Sequence, residues 1–312
     1  MIQIYTSDSD AGYLQACADV EKGSWISVTE PSPDDLQGLA LKLGLDYQFL
    51  QDLNDGEEKA RLEYEDDYTL IIIDAPIVEL QGNSPIFYTA PLVMLIVRDV
   101  ILTMCVKNTS IIEEFRLYKQ KRFRTDKPIT FILQLLLKTS SYYIKFLKHI
   151  DRRTNEIEDA VRRSTTTEEL FDILSLEKTL VYFNIGLKGN QSVLRKLISS
   201  REIAENDEYK DLISDVIIEN EQALEMTQTY SNILANISNA FAAISANRLN
   251  IVIKFLTSLT IVLLIPSIIA GFYGMNVALP LEKDPNAFWI IVTVTITLVS
   301  VTLFIFQKRK WI

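Results

Sequence analysis

Two uncharged runs near the end of the chain constrain it most. Phe255 to Phe272 (FLTSLTIVLLIPSIIAGF) holds no charged residue in 18 positions, and Ala287 to Phe306 holds none in 20. A helix rises about 1.5 Å per residue, so each run matches the roughly 30 Å hydrocarbon core of a bilayer. Two such runs joined by a short link favour a membrane hairpin over a buried core helix. Arg248 and Lys254 precede the first run, and Lys308, Arg309 and Lys310 follow the second. The link, VALPLEKDPN, has one lysine against Glu282 and Asp284. By the positive-inside rule both termini face the cytosol and the link lies outside. Trp289 and Trp311 stand near the span ends, where amphipathic rings prefer to lie. The start, MIQIYTSDSD, lacks the basic and apolar regions of a signal peptide.

Two helices cannot enclose an aqueous path. They either anchor the body or join other copies to form a pore. From Arg248 onward six basic residues against two acidic ones give +4, which leaves −14 on residues 1–247 of a total of −10. An acidic body argues against nucleic acid, whose phosphates need a basic footprint. It is compatible with handling cations, and also with solubility alone. Cys17 and Cys105 make no disulfide framework, and a cytosolic body keeps them reduced. One histidine, His149, and two distant cysteines cannot build a His/Cys zinc site within one chain. There is no G-x-x-x-x-G-K-[ST] and no G-x-G-x-x-G, hence no sign of an ATP-driven pump or a dinucleotide enzyme. Carboxylate pairs are dense on the helices and read as solvated faces rather than acid/base pairs.

The first part reads as mixed α/β. IQIYT, WISVTE, DYTLIIIDAPIVE and PLVMLIVRDVILTMC have the β-branched and aromatic content of strands. SPDDLQGLALKLGL carries helix start and stop signals at Ser32-Pro33 and Gly44. Pro128 to Arg163 reads as one helix. STTTEE then breaks it, and Thr165 with Glu168, or Thr166 with Glu169, fits a capping box opening a helix to about Ser200. EKTLVYFNIGLKGNQSVLRKL, inside that helix, reads as helix packing rather than a site. After a turn in REIAENDEY, Tyr209 to Phe272 reads as a single helix that runs from the cytosol into the bilayer. The expected architecture is a mostly α membrane protein: an N-terminal cytosolic α/β sandwich head (1–125), a helical stalk (126–250), and a two-span domain (251–312) with an outer loop at 273–286.

Three- and four-residue steps back from Gly271 trace one face of that long helix. They pass Ser267, Leu264, Thr260, Thr257, Ile253, Asn250, Ala246, Ala243, Asn239, Asn236, Asn232, Thr229 and Glu225. The face is small or polar almost throughout. Hydroxyls and amides at lipid depth gain from facing water or one another. Read residue by residue, the same groups serve back-bonding to helix carbonyls or close helix packing. As a whole the stripe reads as a lined conduit, with apolar rings at Ile253 and Leu264 able to gate by dewetting.

Tyr273-Gly274-Met275-Asn276 after the first span, a short acidic link, a second span and a final Lys308-Arg309-Lys310-Trp311 resemble the CorA divalent-metal transporter family. WISVTEPSPDDL and RLEYEDDYTLIII look like family segments as well. The resemblance implies a homopentameric channel for Mg²⁺, also passing Co²⁺ and in some members Ni²⁺. It implies that Gly274, Met275 and Asn276 frame the outer entrance. There the Asn276 carboxamide would hold a hydrated cation through its water shell, Met275 would pack, and Gly274 would supply a close backbone turn, strained by a side chain if its φ is positive. It carries pore positions onto Asn250, Ile253, either Leu256 or Thr257, Thr260, Leu264, Ser267 and Gly271. It also implies closure by internal Mg²⁺ bound between subunits, with Asp215 as one sensing carboxylate. No matching partner is evident among Asn108, Thr109, Ser110, Glu113 and Glu114. No organic cofactor is implied.

Three functions remain open at this level. The first is a passive, Mg²⁺-gated channel in the cell membrane. The second is the related zinc-transporting branch. The third is a membrane-anchored coiled-coil scaffold, which needs neither a polar stripe into the bilayer nor an asparagine at its mouth.

Overall fold

The computed structural model describes residues 1–7, 14–81, 84–117, 124–163, 167–281, 284–309 and 311. The head is built on a seven-stranded sheet. Its strands are β1 (Ile2–Ser7), β2 (Leu14–Cys17), β3 (Trp25–Thr29), β4 (Arg61–Tyr64), β5 (Tyr68–Gln81), β6 (Ser84–Val97) and β7 (Val100–Cys105). They lie in the order β2-β1-β3-β7-β6-β5-β4, and only β3 and β7 are parallel neighbours. The run PLVMLIVRDVILTMC, expected as strand, is divided by Arg98 and Asp99, whose φ values of 48° and 69° make a two-residue hairpin turn. RLEYEDDYTLIII forms β4, the following turn and the start of β5.

Helices cover both faces of the sheet, which is why its central strands read as continuous apolar runs. On one face Ile26, Val28, Leu70, Ile72, Val93 and Leu95 meet Leu36 and Leu39 of α1 (Pro33–Leu43) and Leu50 of α2 (Tyr47–Leu53). The start and stop signals of α1 are realised. Ser32 and Asp35 form a reciprocal capping box, and Gly44 ends the helix at φ 68°. On the other face Trp25 packs against Phe115 of α3 (Ser110–Leu117) and Phe131 of α4 (Pro128–Arg163). Its indole N–H donates to Thr103 Oγ1 at 2.9 Å. Each such fully buried side chain is worth roughly 1.5–3 kcal/mol relative to exposure.

The helix α5 (Thr167–Ile198) packs on the sheet, not only on other helices. The expected capping boxes at Thr165 and Thr166 lie outside the described residues. At Gly186 a Cβ would sit 2.7 Å from Tyr143 Oη and 2.9 Å from Asp74 Cβ, so only glycine lets the helix lie this close. One turn on, Asn190 finishes the sheet edge. β4 pairs with β5 no further than Ile72, which leaves the Asp74 backbone without a strand on its β4 side, opposite its β6 partner Pro91. Asn190 Oδ1 accepts from Asp74 N–H and Asn190 Nδ2 donates to Asp74 C=O, both at 2.8 Å. The Tyr143 hydroxyl donates to the same carbonyl at 3.0 Å. Burial pushes the Asp74 carboxyl above the usual carboxylate range.

The REIAENDEY segment contains a single-turn helix, α6 (Arg201–Ala204). The helix α7 (Asp207–Tyr273) then runs for 67 residues, and α8 (Ala287–Lys308) follows the link. The chain forms two compact units, Met1–Ile237 and Ser238–Ile312. The expected head and most of the expected stalk share the first unit, because α4 and α5 pack on the strands.

Candidate functional site

The most apolar 18-residue stretches of α7 and α8 have mean hydropathies of 2.2 and 2.4, with 6% and 0% of each buried. A core helix of a soluble protein would be covered. Here Leu256, Leu263, Phe272 and Phe304 are 57–67% exposed, so lipid or other copies must take these faces. Each span is shielded along one line only. On α7 this line is Ser258, Ile261, Val262, Ile265 and Ile269, and on α8 it is Ile291, Val292, Thr295, Val299, Thr302 and Phe306.

The polar stripe lies elsewhere. All fourteen of its residues, Glu225 to Gly271, are exposed. At about 100° per residue the stripe within the span is centred about 130° around α7 from the shielded line. Further upstream, Ile213, Val216, Asn220, Ala223, Thr227, Leu234 and Ile237 are buried on the opposite face. Packing within one chain therefore uses the other side of α7 and leaves the stripe open. Leu256 and Thr257 are both exposed and flank its centre.

Two stripe hydroxyls bond back to their own helix. Thr260 Oγ1 donates to Leu256 C=O at 2.8 Å and Ser267 Oγ donates to Leu263 C=O at 3.0 Å. Back-bonding satisfies the donor and leaves oxygen lone pairs facing outward. Water in a cation's hydration shell presents hydrogens outward, so a row of acceptors suits it. Pro266, one residue before Ser267, lies within the continuous helix and supplies no N–H to the Val262 carbonyl.

At the mouth, Gly274 N–H donates to Ala270 C=O at 2.9 Å and Met275 N–H to Phe272 C=O at 3.2 Å, which gives two carbonyls of the last turn of α7 a partner. Gly274 is not at positive φ, contrary to the strained turn considered from sequence. Glycine is favoured by proximity instead, since a Cβ would lie 3.2 Å from the Ala270 carbonyl oxygen. Among the described residues of the link, Leu281 is left-handed, at φ 72°. The Tyr273 hydroxyl donates to Pro280 C=O at 3.3 Å and ties the link back to the helix end. Met275 is 52% exposed and Asn276 is exposed, so neither is consumed by packing within the chain.

Asp215 lies exposed on α7. The head residues after β7 serve local structure. Thr109 Oγ1 accepts from Ile112 N–H at 3.1 Å, and Asn108 donates to Glu113. Glu114 pairs with Lys138 at 2.7 Å and accepts from Tyr142. Partial burial would raise the Glu114 carboxyl, but these two partners hold it below its ordinary value. Among the described residues no three His, Cys, Asp or Glu side chains gather as a metal site.

A covered α/β head, a 67-residue helix and a second lipid-length helix define a two-span membrane protein with a soluble domain. Its outward-facing polar stripe has no role in a simple anchor. Residues 20–309 match the model of the CorA-like Mg²⁺ transporter proteins, and the chain belongs to that family. It is 28% identical over 297 residues to the cobalt/magnesium transport protein CorA of Methanocaldococcus jannaschii, covering 92% of this chain and 91% of that one. The complete structure of the CorA magnesium transporter from that organism superposes with a TM-score of 0.83 at 23% identity, over 100% of this chain and 99% of that one. The cytoplasmic domain of ZntB from Vibrio parahaemolyticus shares the fold at a TM-score of 0.59 and 12% identity, over 78% of this chain and 98% of that one.

Proposed function

We propose that the protein is a passive, gated Mg²⁺ channel that also admits Co²⁺, working as a homopentamer in the cell membrane with both termini in the cytosol. The carrying observation is the stripe from Glu225 to Gly271, polar or small along nearly its whole length and left open by packing within the chain. Such a face at lipid depth is stable only against water or other copies of itself. Several α7 helices with stripes inward would enclose a path lined by Asn250, Ile253, Leu256 or Thr257, Thr260, Leu264, Ser267 and Gly271. Asn276 would meet the cation at the outer entrance through its hydration water, because Mg²⁺ gives up water reluctantly and prefers oxygen. Ile253 and Leu264 would form the dry constriction. Asp215 would sense internal Mg²⁺. Since one chain gathers no three-ligand cluster among its described residues, the remaining ligands would come from a neighbouring subunit.

The test is flux in proteoliposomes with separate indicators for Mg²⁺ and Zn²⁺, alongside mass measurement of the detergent-purified protein. Mg²⁺ uptake by a pentamer, abolished in Asn276→Ala without loss of assembly, is expected. Selective Zn²⁺ flux would move the protein to the zinc-transporting branch. A monomer without flux would leave an anchored scaffold.

A further inference from the structure

The head carries a charged groove that ion conduction does not use. Lys145, Lys148, His149 and Arg152 recur at three- and four-residue spacing and so share one face of α4. With Glu219 and Gln222 of α7 they line a cavity of about 410 Å³. Lys145 lies 4.8 Å above the Tyr142 ring. Among the described residues no carboxylate lies within 4.0 Å of Lys145, Lys148 or Arg152, in a chain of net charge −10. A second cavity, of about 570 Å³, adjoins the first and shares His149 and Arg152 with it. It adds an apolar wall of Ile86, Phe87, Phe171 and Leu176, and its two carboxylates, Glu156 and Asp172, are both paired with Arg153. Phe171 is 66% exposed, and the His149 ring stacks beside Phe87 with centroids 6.5 Å apart.

We propose that this double groove binds a nucleoside polyphosphate. Lys148 and Arg152 would take the phosphates, as Arg and Lys do through charge-assisted bonds, with Lys145 beside them shared with the Tyr142 ring and the field of Glu114. The aromatic and aliphatic wall would take the base. A bare anion needs only the first cavity, and a neutral aromatic needs only the second. Both volumes fall in the usual range for small-molecule sites, about 300–1,000 Å³. Glu219, the one carboxylate lining the first cavity, is better tolerated by a nucleotide that carries a divalent cation than by a naked anion. The chain lacks a phosphate loop, so side chains rather than a glycine-rich backbone would hold the ligand, and binding without hydrolysis is what the groove provides.

The test is calorimetric titration of the full-length detergent-purified protein with MgATP, tripolyphosphate and adenosine. MgATP should bind, and the double variant Lys148→Ala/Arg152→Ala should weaken it at least tenfold. Phe171→Ala should weaken MgATP several-fold and leave tripolyphosphate unchanged. These residues are exposed, and an unchanged melting curve would verify that the fold is intact. Absence of MgATP binding, or equal binding by parent and variants, overturns the proposal. Tripolyphosphate binding as tightly as MgATP, with Phe171→Ala silent, reduces the groove to an anion site and overturns the nucleotide assignment. Charge variants that dissociate the oligomer while the parent binds no MgATP assign the face to a neighbouring copy and overturn it too. The readout is binding, so its failure is separate from failure of the transport reading.

Discussion

Gly186→Ala tests how the head is held together. A Cβ there would lie 2.7 Å from Tyr143 Oη, 2.9 Å from Asp74 Cβ and 3.2 Å from Thr89 Cγ2. These atoms belong to α4, β5 and β6, so no single side chain can swing away and relieve all three contacts. Overpacking of this kind costs about 1–3 kcal/mol. Displacing Tyr143 would also break its 3.0 Å bond to the Asp74 carbonyl, and an orphaned buried polar group costs about 1–3 kcal/mol more. Against this, alanine gains about 1 kcal/mol over glycine in a helix. The net expectation is a loss of about 1–5 kcal/mol. Gly38→Ala provides the control. Gly38 is an exposed residue of α1 with nothing within 4 Å of a Cβ, so the propensity gain stands alone and the sign reverses. For a unit of this size 1 kcal/mol corresponds to roughly 2–4 °C in melting temperature. Thermal unfolding of both variants, followed by the near-ultraviolet signal of the buried Trp25, makes the measurement. If Gly186→Ala melts at or above the parent, the close approach of α5 to the sheet is not as described.

Asp74 is held above the ordinary carboxylate pKa by burial, so between that ordinary value and its own the folded state binds the extra proton. Its stabilising contribution is then complete below the unfolded value, near 3.8, and is lost as pH rises through the folded value. Asp74→Asn should therefore be more stable than the parent at pH 7 in denaturant titrations, with an advantage that shrinks on acidification; a gain independent of pH would reject this. Leu264→Ser should wet the constriction and raise basal Mg²⁺ current, and an unchanged current would place the gate elsewhere, with Leu256 next. Asp215→Ala should shift inhibition by internal Mg²⁺ to higher concentration, and an unchanged inhibition curve would remove Asp215 as a sensor.

The long helices were legible because their signals are redundant. Pro128, the absence of glycine after it, and apolar periodicity all agree on α4. Ser32 and Gly44 bracket α1 from both ends. The short pieces β2, β4, α2 and α3 were not legible, because they lack the run of β-branched and aromatic residues that marked the equally short β1 and β3. The Arg98-Asp99 turn was hidden because neither residue is the glycine that positive φ usually demands. Gly186 and Asn190 stood in a segment read only as packing. Their partner, Asp74, is more than a hundred residues away, and only the β4–β5 register, whose last pair is Arg61 with Ile72, shows why an amide is needed there. The stripe was legible as a pattern, whereas its openness depends on which face of α7 the rest of the chain covers. The basic face of α4 drew no reading from sequence, since its meaning depends on the two cavities that adjoin around His149.

The stripe and the mouth belong to one chemical argument. A pore for a bare ion needs ligands that replace its water at coordination distance. A pore for a hydrated Mg²⁺ instead needs acceptors set further apart, facing the hydrogens of the water shell. Thr260 and Ser267 spend their protons on Leu256 and Leu263 and so would leave oxygens to face the proposed path. Asn250 and Asn276 add carboxamide oxygens, and no carboxylate stands on the stripe between Asn232 and Gly271. Fixed negative charge at lipid depth would bind a divalent cation too tightly to release it and would cost more desolvation than a neutral oxygen. On the proposed reading, neutral acceptors interrupted by Ile253 and Leu264 would let a hydrated ion enter and leave, and would allow closure by drying rather than by a plug. The charge is divided as such a path would need: residues 1–247 carry a surplus of 14 acidic charges, which attracts cations in general, while the stripe at lipid depth carries none.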